Sequence, residues 1–150
     1  MPLSCTSPQS LWRPAGWVNM LALDTNILVR LVTNDDPATA ERVQQLLDNE
    51  LAKNRECMVG HVVLCELVWV LQRLYGYNVL QCQQTIASLL SFTGLRFEAL
   101  PVLLAGYKAW QKHGGDWADH LIGAQMQALG CVAVMTLDKA AGKAATHRLV

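Results

Sequence analysis

Charge of either sign is scarce in this 150-residue chain, and what there is cancels, twelve Lys and Arg against twelve Asp and Glu. A protein that grips a polyanion by its own field is visibly basic, so that mode of binding is excluded. Any phosphate backbone handled here needs bound cations to do much of the neutralising. Gly-rich phosphate loops are absent, and Gly142-Lys143 is no substitute for one. The four histidines, His61, His113, His120 and His147, never fall at His-Glu-x-x-His spacing, which disfavours a hydrolytic zinc. Serine nucleophile elbows are missing too. The cysteines, Cys5, Cys57, Cys65, Cys82 and Cys131, are odd in number and contain no Cys-x-x-Cys. That pattern excludes a disulfide framework and a structural zinc, and it fits small buried apolar residues in a reducing compartment.

Three of the five prolines, Pro2, Pro8 and Pro14, fall in residues 1–19 with one charge, Arg13, and no continuous apolar core. That stretch fails as a secretory signal or a membrane span. It is expected to be a flexible extension or a misplaced start, with one domain at 20–150, Met20 being a natural beginning. Hydrophobic residues make up 52% of the chain, enough for a sizeable core.

Within 20–150 short apolar runs alternate with helical periodicity. Strands are expected at 21–24, 57–60, 95–99 and 132–135, with a short fifth at 147–150. Helices are expected at 26–32, from Pro37 with Asp36 as N-cap, at 63–75, after Asn78, at 102–112 and at 117–129. The inner face of the Pro37 helix is read as Ala40, Val43, Leu46, Leu47 and Leu51, and that of the 117–129 helix as Ala118, Leu121, Ile122, Gln125 and Leu129. Trp69, Trp110 and Trp117 read as core or interface side chains, and His120 as a solvated surface residue. Such alternation implies an α/β fold with a parallel sheet covered on both faces, whose ligands gather at the carboxyl ends of the strands.

Against that pattern four carboxylates stand where an apolar core would rather have none. Asp24 closes Leu21-Ala22-Leu23, Glu66 sits alone within an apolar run from Val62 to Leu71, Asp119 heads a helix, and Asp138 follows a strand. Buried carboxylates are costly unless paired, hydrogen-bonded or holding a metal, and no basic partners lie in the same segments. Asp24 and Asp138 lie past strand ends, and Glu66 and Asp119 in first helical turns, so all four can meet at one edge. Hard-oxygen donors of this kind suit Mg²⁺ or Mn²⁺. Each also has a plainer role. Asp24 and Asp138 serve equally as cap or turn residues, and Asp116, three residues before Asp119, is as good a helix cap as a metal ligand. Only Glu66, flanked on both sides by apolar residues, lacks an ordinary explanation.

The motifs Leu23-Asp24-Thr25-Asn26-Ile27-Leu28-Val29-Arg30, Val63-Leu64-Cys65-Glu66-Leu67-Val68-Trp69-Val70-Leu71, Asp116-Trp117-Ala118-Asp119-His120-Leu121-Ile122 and Thr136-Leu137-Asp138-Lys139 occur in an order and spacing that resembles the PIN-domain ribonucleases, and within them the VapC-type toxins. The resemblance implies a three-layer α/β/α sandwich on a four- to five-stranded parallel sheet. It implies a Mg²⁺ or Mn²⁺ site on Asp24, Glu66, Asp119 and Asp138, with Asp116 as a further ligand, that cleaves RNA. Asn26 and Thr136 match polar positions beside that site. It also implies a cytoplasmic homodimer silenced by a VapB-type antitoxin. Rival readings are a catalytically silent PIN-like scaffold and, less well, a haloacid-dehalogenase-like phosphatase, whose second Asp is replaced here by Asn26.

Overall fold

The computed structural model describes residues 19–150; the expected N-terminal extension lies, but for its last residue, outside the described residues. Six helices and four strands follow in alternation: α1 (Thr25–Thr33), α2 (Pro37–Ala52), β1 (Cys57–Val59), α3 (His61–Leu74), α4 (Val79–Leu90), β2 (Leu95–Phe97), α5 (Leu100–His113), α6 (Trp117–Ala128), β3 (Val134–Thr136) and β4 (His147–Leu149), with a 3₁₀ turn at Ala141–Lys143. All six expected helices and four of the five expected strands are present, with ends displaced by a few residues; the run expected as a strand at 21–24 makes only a single bridge, Ala22 to Met58.

The displacements have local causes. Helix α3 begins at His61 because the Glu98 carboxylate, just past β2, accepts from its first turn: the His61 N–H donates to Glu98 Oε2 at 2.8 Å, while the N-cap Gly60 has no side chain to accept it. Helix α5 starts at Leu100, with Pro101 in its first turn, where a missing N–H costs nothing. Asn78 and Gln81 form a reciprocal capping box at the head of α4. Asp36 caps α2 through Thr39, and Asp35 binds Arg30 and the Tyr75 hydroxyl, tying the α1–α2 turn to the end of α3.

Pairing is parallel throughout. β1 lies beside β2 with Cys57 opposite Leu95, β3 lies beside β4 with Val134 opposite His147, and residues 21–23 bridge to β1 at Met58. The expected single four- to five-stranded sheet is therefore corrected to two short parallel ladders and a bridge. Each strand is only three residues long, and the first is cut off at Leu23 because Asp24 already opens α1. Among the described residues no ladder joins 21–23 to β3, and the two halves meet through α6, which packs on α5 and on α3.

The core is continuous, with Leu28, Leu64, Leu67, Leu71, Ile86, Leu103 and Trp110 almost wholly excluded from solvent. At its α5–α6 seam a Cβ added to Gly106 would lie 3.2 Å from the Leu121 Cα and 3.3 Å from the His120 carbonyl. These are backbone atoms that cannot yield without moving the helix. We predict that Gly106→Ala destabilises the protein by about 1–3 kcal/mol, as overpacking a tight seam does. Urea unfolding measures it, and an unchanged midpoint would show the seam to be looser than drawn.

Candidate active site

The turn between α5 and α6 sets the position of two of the acids. Gly114 and Gly115 take φ values of +64° and +77°, conformations that L side chains rarely adopt. Their carbonyls are then held from the core: the Trp110 indole donates to the Gly115 oxygen at 3.0 Å, and His120 Nε2 meets the Gly114 oxygen at 2.7 Å. A carbonyl can only accept, so that nitrogen carries the hydrogen. His120 is thus buried, at 7% exposure, and not the solvated side chain expected of it. Sequence reasoning missed this because a helical ring five positions after the glycine turn gives no signal of which way the turn folds back.

Asp116 follows the turn and caps α6, its Oδ1 accepting from the N–H groups of Ala118 and Asp119 at 2.8 and 3.2 Å. Asp119 is half-buried in the first turn of that helix. Asp138 stands just beyond the carboxyl end of β3, its Oδ1 accepting from Ala140 and Ala141 and its N–H donating to the Thr136 hydroxyl. Thr136 thereby shapes the turn. These three acids, with His113, His120 and Lys143, line one pocket of about 250 Å³. Burial first, then the charges of Asp116 and Asp138, push the Asp119 carboxyl above its ordinary range, with His147 and His120 opposing.

A second set forms across α1 and α3. Asp24 sits at the head of α1 with Oδ1 on the Thr25 N–H, and the Thr25 hydroxyl donates to Glu66 Oε2 at 2.5 Å. Thr25, 4% exposed, thus joins the two acids, a role that reading along the chain did not reveal. Asn26 is exposed. Glu66 is exposed as well and lies in the second turn of α3, not the first. The apolar residues beside it in sequence, Leu64, Leu67 and Leu71, point inward, because helical neighbours one and two positions apart occupy different faces.

Asp116 stands between the sets. Cys65, the neighbour of Glu66 on α3, has its thiol pushed up to about 11, mainly by burial and then by the charge of Asp116. The acids therefore fall in two sets, Asp24 and Glu66 joined through Thr25 on α1 and α3, and Asp116, Asp119 and Asp138 on one pocket at the head of α6 and the end of β3. They do not meet at one point: among the described residues no three His, Cys, Asp or Glu side chains form a group close enough to hold an ion. Each carboxylate but Asp119 accepts from a local N–H or O–H. One oxygen each of Asp24, Glu66, Asp116 and Asp138 is held this way, and the other makes no hydrogen bond among the described residues. None of the five is in an ion pair with Lys, Arg or His there.

Of the cysteines expected to be buried, Cys57 and Cys82 are, Cys65 is half-buried and Cys131 is exposed; Cys5 lies outside the described residues. Trp110 and Trp117 are core side chains in tilted contact, ring centroids 5.0 Å apart, whereas Trp69 is 57% exposed.

Compared with known families, residues 21–146 match the PIN domain model, and the chain belongs to the PIN domain family. Its α/β architecture and order of motifs are those of a nuclease-type fold. Among curated proteins no match was found.

An acid whose folded pKa is raised favours folding when protonated, so its ionised form weakens the protein once pH climbs through the raised value. We predict that Asp119→Asn, in EDTA, unfolds at higher temperature than the parent at pH 7. The gain should shrink as pH falls through the raised value and be gone below about pH 3.8, where Asp119 is protonated in both folded and unfolded chains. Thermal melts from pH 3 to 8 measure it; equal melting temperatures at pH 7 would refute the crowding of Asp116, Asp119 and Asp138.

Proposed function

We propose that this PIN domain is a metal-dependent endoribonuclease of the VapC type, acting through Asp24, Glu66, Asp119 and Asp138 with Asp116 as a fifth ligand. The observation that carries the reading is the set of half-engaged carboxylates: four acids fixed by one oxygen with the other free, beside an Asp119 crowded by its neighbours and without a counter-cation. Fixing one oxygen orients an acid, while the free oxygen keeps a hard donor available. This donor set fits Mg²⁺ or Mn²⁺ in chemistry and charge. Such an ion, when bound, supplies charge to the phosphodiester and acidifies water.

The chain's own groups do the rest. Thr25 holds Glu66 and Asp24 in one register. Asp119, its carboxyl pushed above its ordinary range by burial and by the charges of Asp116 and Asp138, is the acid we assign to take a proton from the attacking water. Lys143, which lines the same pocket, offers an ammonium to a phosphate oxygen. On the likeness of its motifs to VapC toxins, the protein works as a cytoplasmic homodimer that a VapB-type antitoxin holds inactive. Among the described residues no helix is long and apolar enough to cross a membrane.

The protein with RNA and Mn²⁺ should cleave, and EDTA should stop it. Asp24→Asn, Glu66→Gln, Asp119→Asn and Asp138→Asn should each lower kcat/KM by about a hundred-fold or more, roughly 2.7 kcal/mol of transition-state stabilisation. Retained activity in Glu66→Gln or Asp119→Asn would refute the assignment. Mg²⁺ or Mn²⁺ at about ten times its Kd should add about 1.4 kcal/mol of stability, read as a rise of about 3–6 °C in Tm.

Asp116 allows its two roles to be separated, since Asn caps a helix as well as Asp does. We expect Asp116→Asn to fold with unchanged stability in EDTA yet lose cleavage and part of the metal-induced rise in Tm. Asp116→Ala should in addition lose about 1 kcal/mol from the missing cap. Full activity in Asp116→Asn would leave the residue as a cap alone.

A further inference from the structure

A second cavity of about 250 Å³ lies between α3 and the head of α6, lined by Cys65, Val68, Trp69, Gln72, Asp116 and Trp117. Asp116 is thus a wall common to both cavities. We infer that this second cavity is a nucleotide subsite, in which Trp69 stacks on a base of single-stranded RNA beside the phosphate to be cut. The inference rests on the RNA-cleaving reading of the acids above.

Its basis is the outer face of α3. Val62, Glu66, Trp69 and Arg73 recur at spacings of four, three and four, which places them in one stripe, and all four are exposed. The stripe leads from an acid candidate to an aromatic plane about 4.5 Å further along the axis, then to a guanidinium about 6 Å beyond that. Arg73 is in no ion pair, and the Gln72 amide makes no hydrogen bond, among the described residues. The remaining guanidiniums that pair do so with Asp35, Glu50 and Glu56, on other surfaces. An exposed indole with 57% of its surface in solvent gains by covering one face. Every base offers a π-face, so stacking suits a strand whose phosphates are handled next door. An apolar docking face for protein would have no need of an acid wall, a free amide and a free guanidinium at its edges.

The test uses the full chain and a labelled single-stranded RNA of about twelve nucleotides, within the usual span of such sites. Ca²⁺ replaces Mn²⁺ to measure binding, and Mn²⁺ is used to measure cleavage. Trp69→Ala should weaken binding about five- to hundred-fold, with Trp69→Phe recovering most of it. KM for cleavage should rise far more than kcat falls. An abasic nucleotide walked along the RNA should, at one position, weaken binding to the parent protein while costing Trp69→Ala nothing further, the signature of direct coupling. Equal affinity of parent and Trp69→Ala overturns the inference. So does a change in sedimentation of Trp69→Ala at unchanged RNA affinity, which would mark the face as a protein interface. Binding with no Mn²⁺-dependent cleavage refutes the nuclease reading and leaves the stacking comparison to decide the subsite. No RNA binding at all refutes both.

Discussion

Two hydrogen bonds to the carbonyls of consecutive glycines, from the Trp110 indole and the His120 ring, hold the turn on which the candidate site depends. Without them Gly114 and Gly115 would be free to sample many conformations, and the head of α6 would have no fixed origin. With them, a side chain wholly inside the core dictates where Asp116 lies to within a turn. Asp116 in turn caps α6 and so orients Asp119. Core packing, backbone conformation and acid placement are therefore one linked system, in which Gly106 lets α5 approach α6 closely enough for Trp110 and His120 to reach.

The order of elements was legible because apolar periodicity and cap residues are local. Asp36 before Pro37, Asn78 before α4 and Asp116 before α6 all cap as read. What was not legible depends on partners distant in sequence. Glu98 capping α3, Thr25 tying Glu66, and Glu50 buried with Arg55 and Lys53 are contacts that no window of neighbouring residues contains. The inner face of α6 was misjudged for a related reason. Ile122 and Leu129 were expected inside and are exposed, while His120 and Gly123 are buried, because a close seam selects for small size and a hydrogen-bonding ring over hydrophobicity. The four acid positions stood out in the sequence, but their division into two sets did not.

That division has an electrostatic logic. Burial and neighbouring carboxylates of like charge both raise an acid's pKa and weaken the fold, and Asp119 carries that cost most visibly because it is partly buried beside Asp116 and Asp138. The other four relieve it by each turning one oxygen to a backbone or hydroxyl hydrogen. Spreading along α1, α3, α6 and the end of β3 keeps the site tolerable to the folded chain while leaving unengaged oxygens on every member. A balanced net charge is compatible with this, since the basic side chains that pair are spent at Asp35, Glu50 and Glu56, away from the acids.

Asp116 is where these constraints meet. Its Oδ1 is committed to the N–H groups of α6, its charge reaches Cys65 on α3, and its side chain walls both cavities. A helix cap is among the most rigidly held acids a protein can offer, because moving it costs two hydrogen bonds. A residue so fixed is a poor choice for a ligand that must swing, and a good one for a reference point between the proposed phosphate site and the proposed base subsite. The distance between those two places is then set by the backbone of α6 and not by a mobile side chain, which is what a cleavage position defined relative to a stacked base requires.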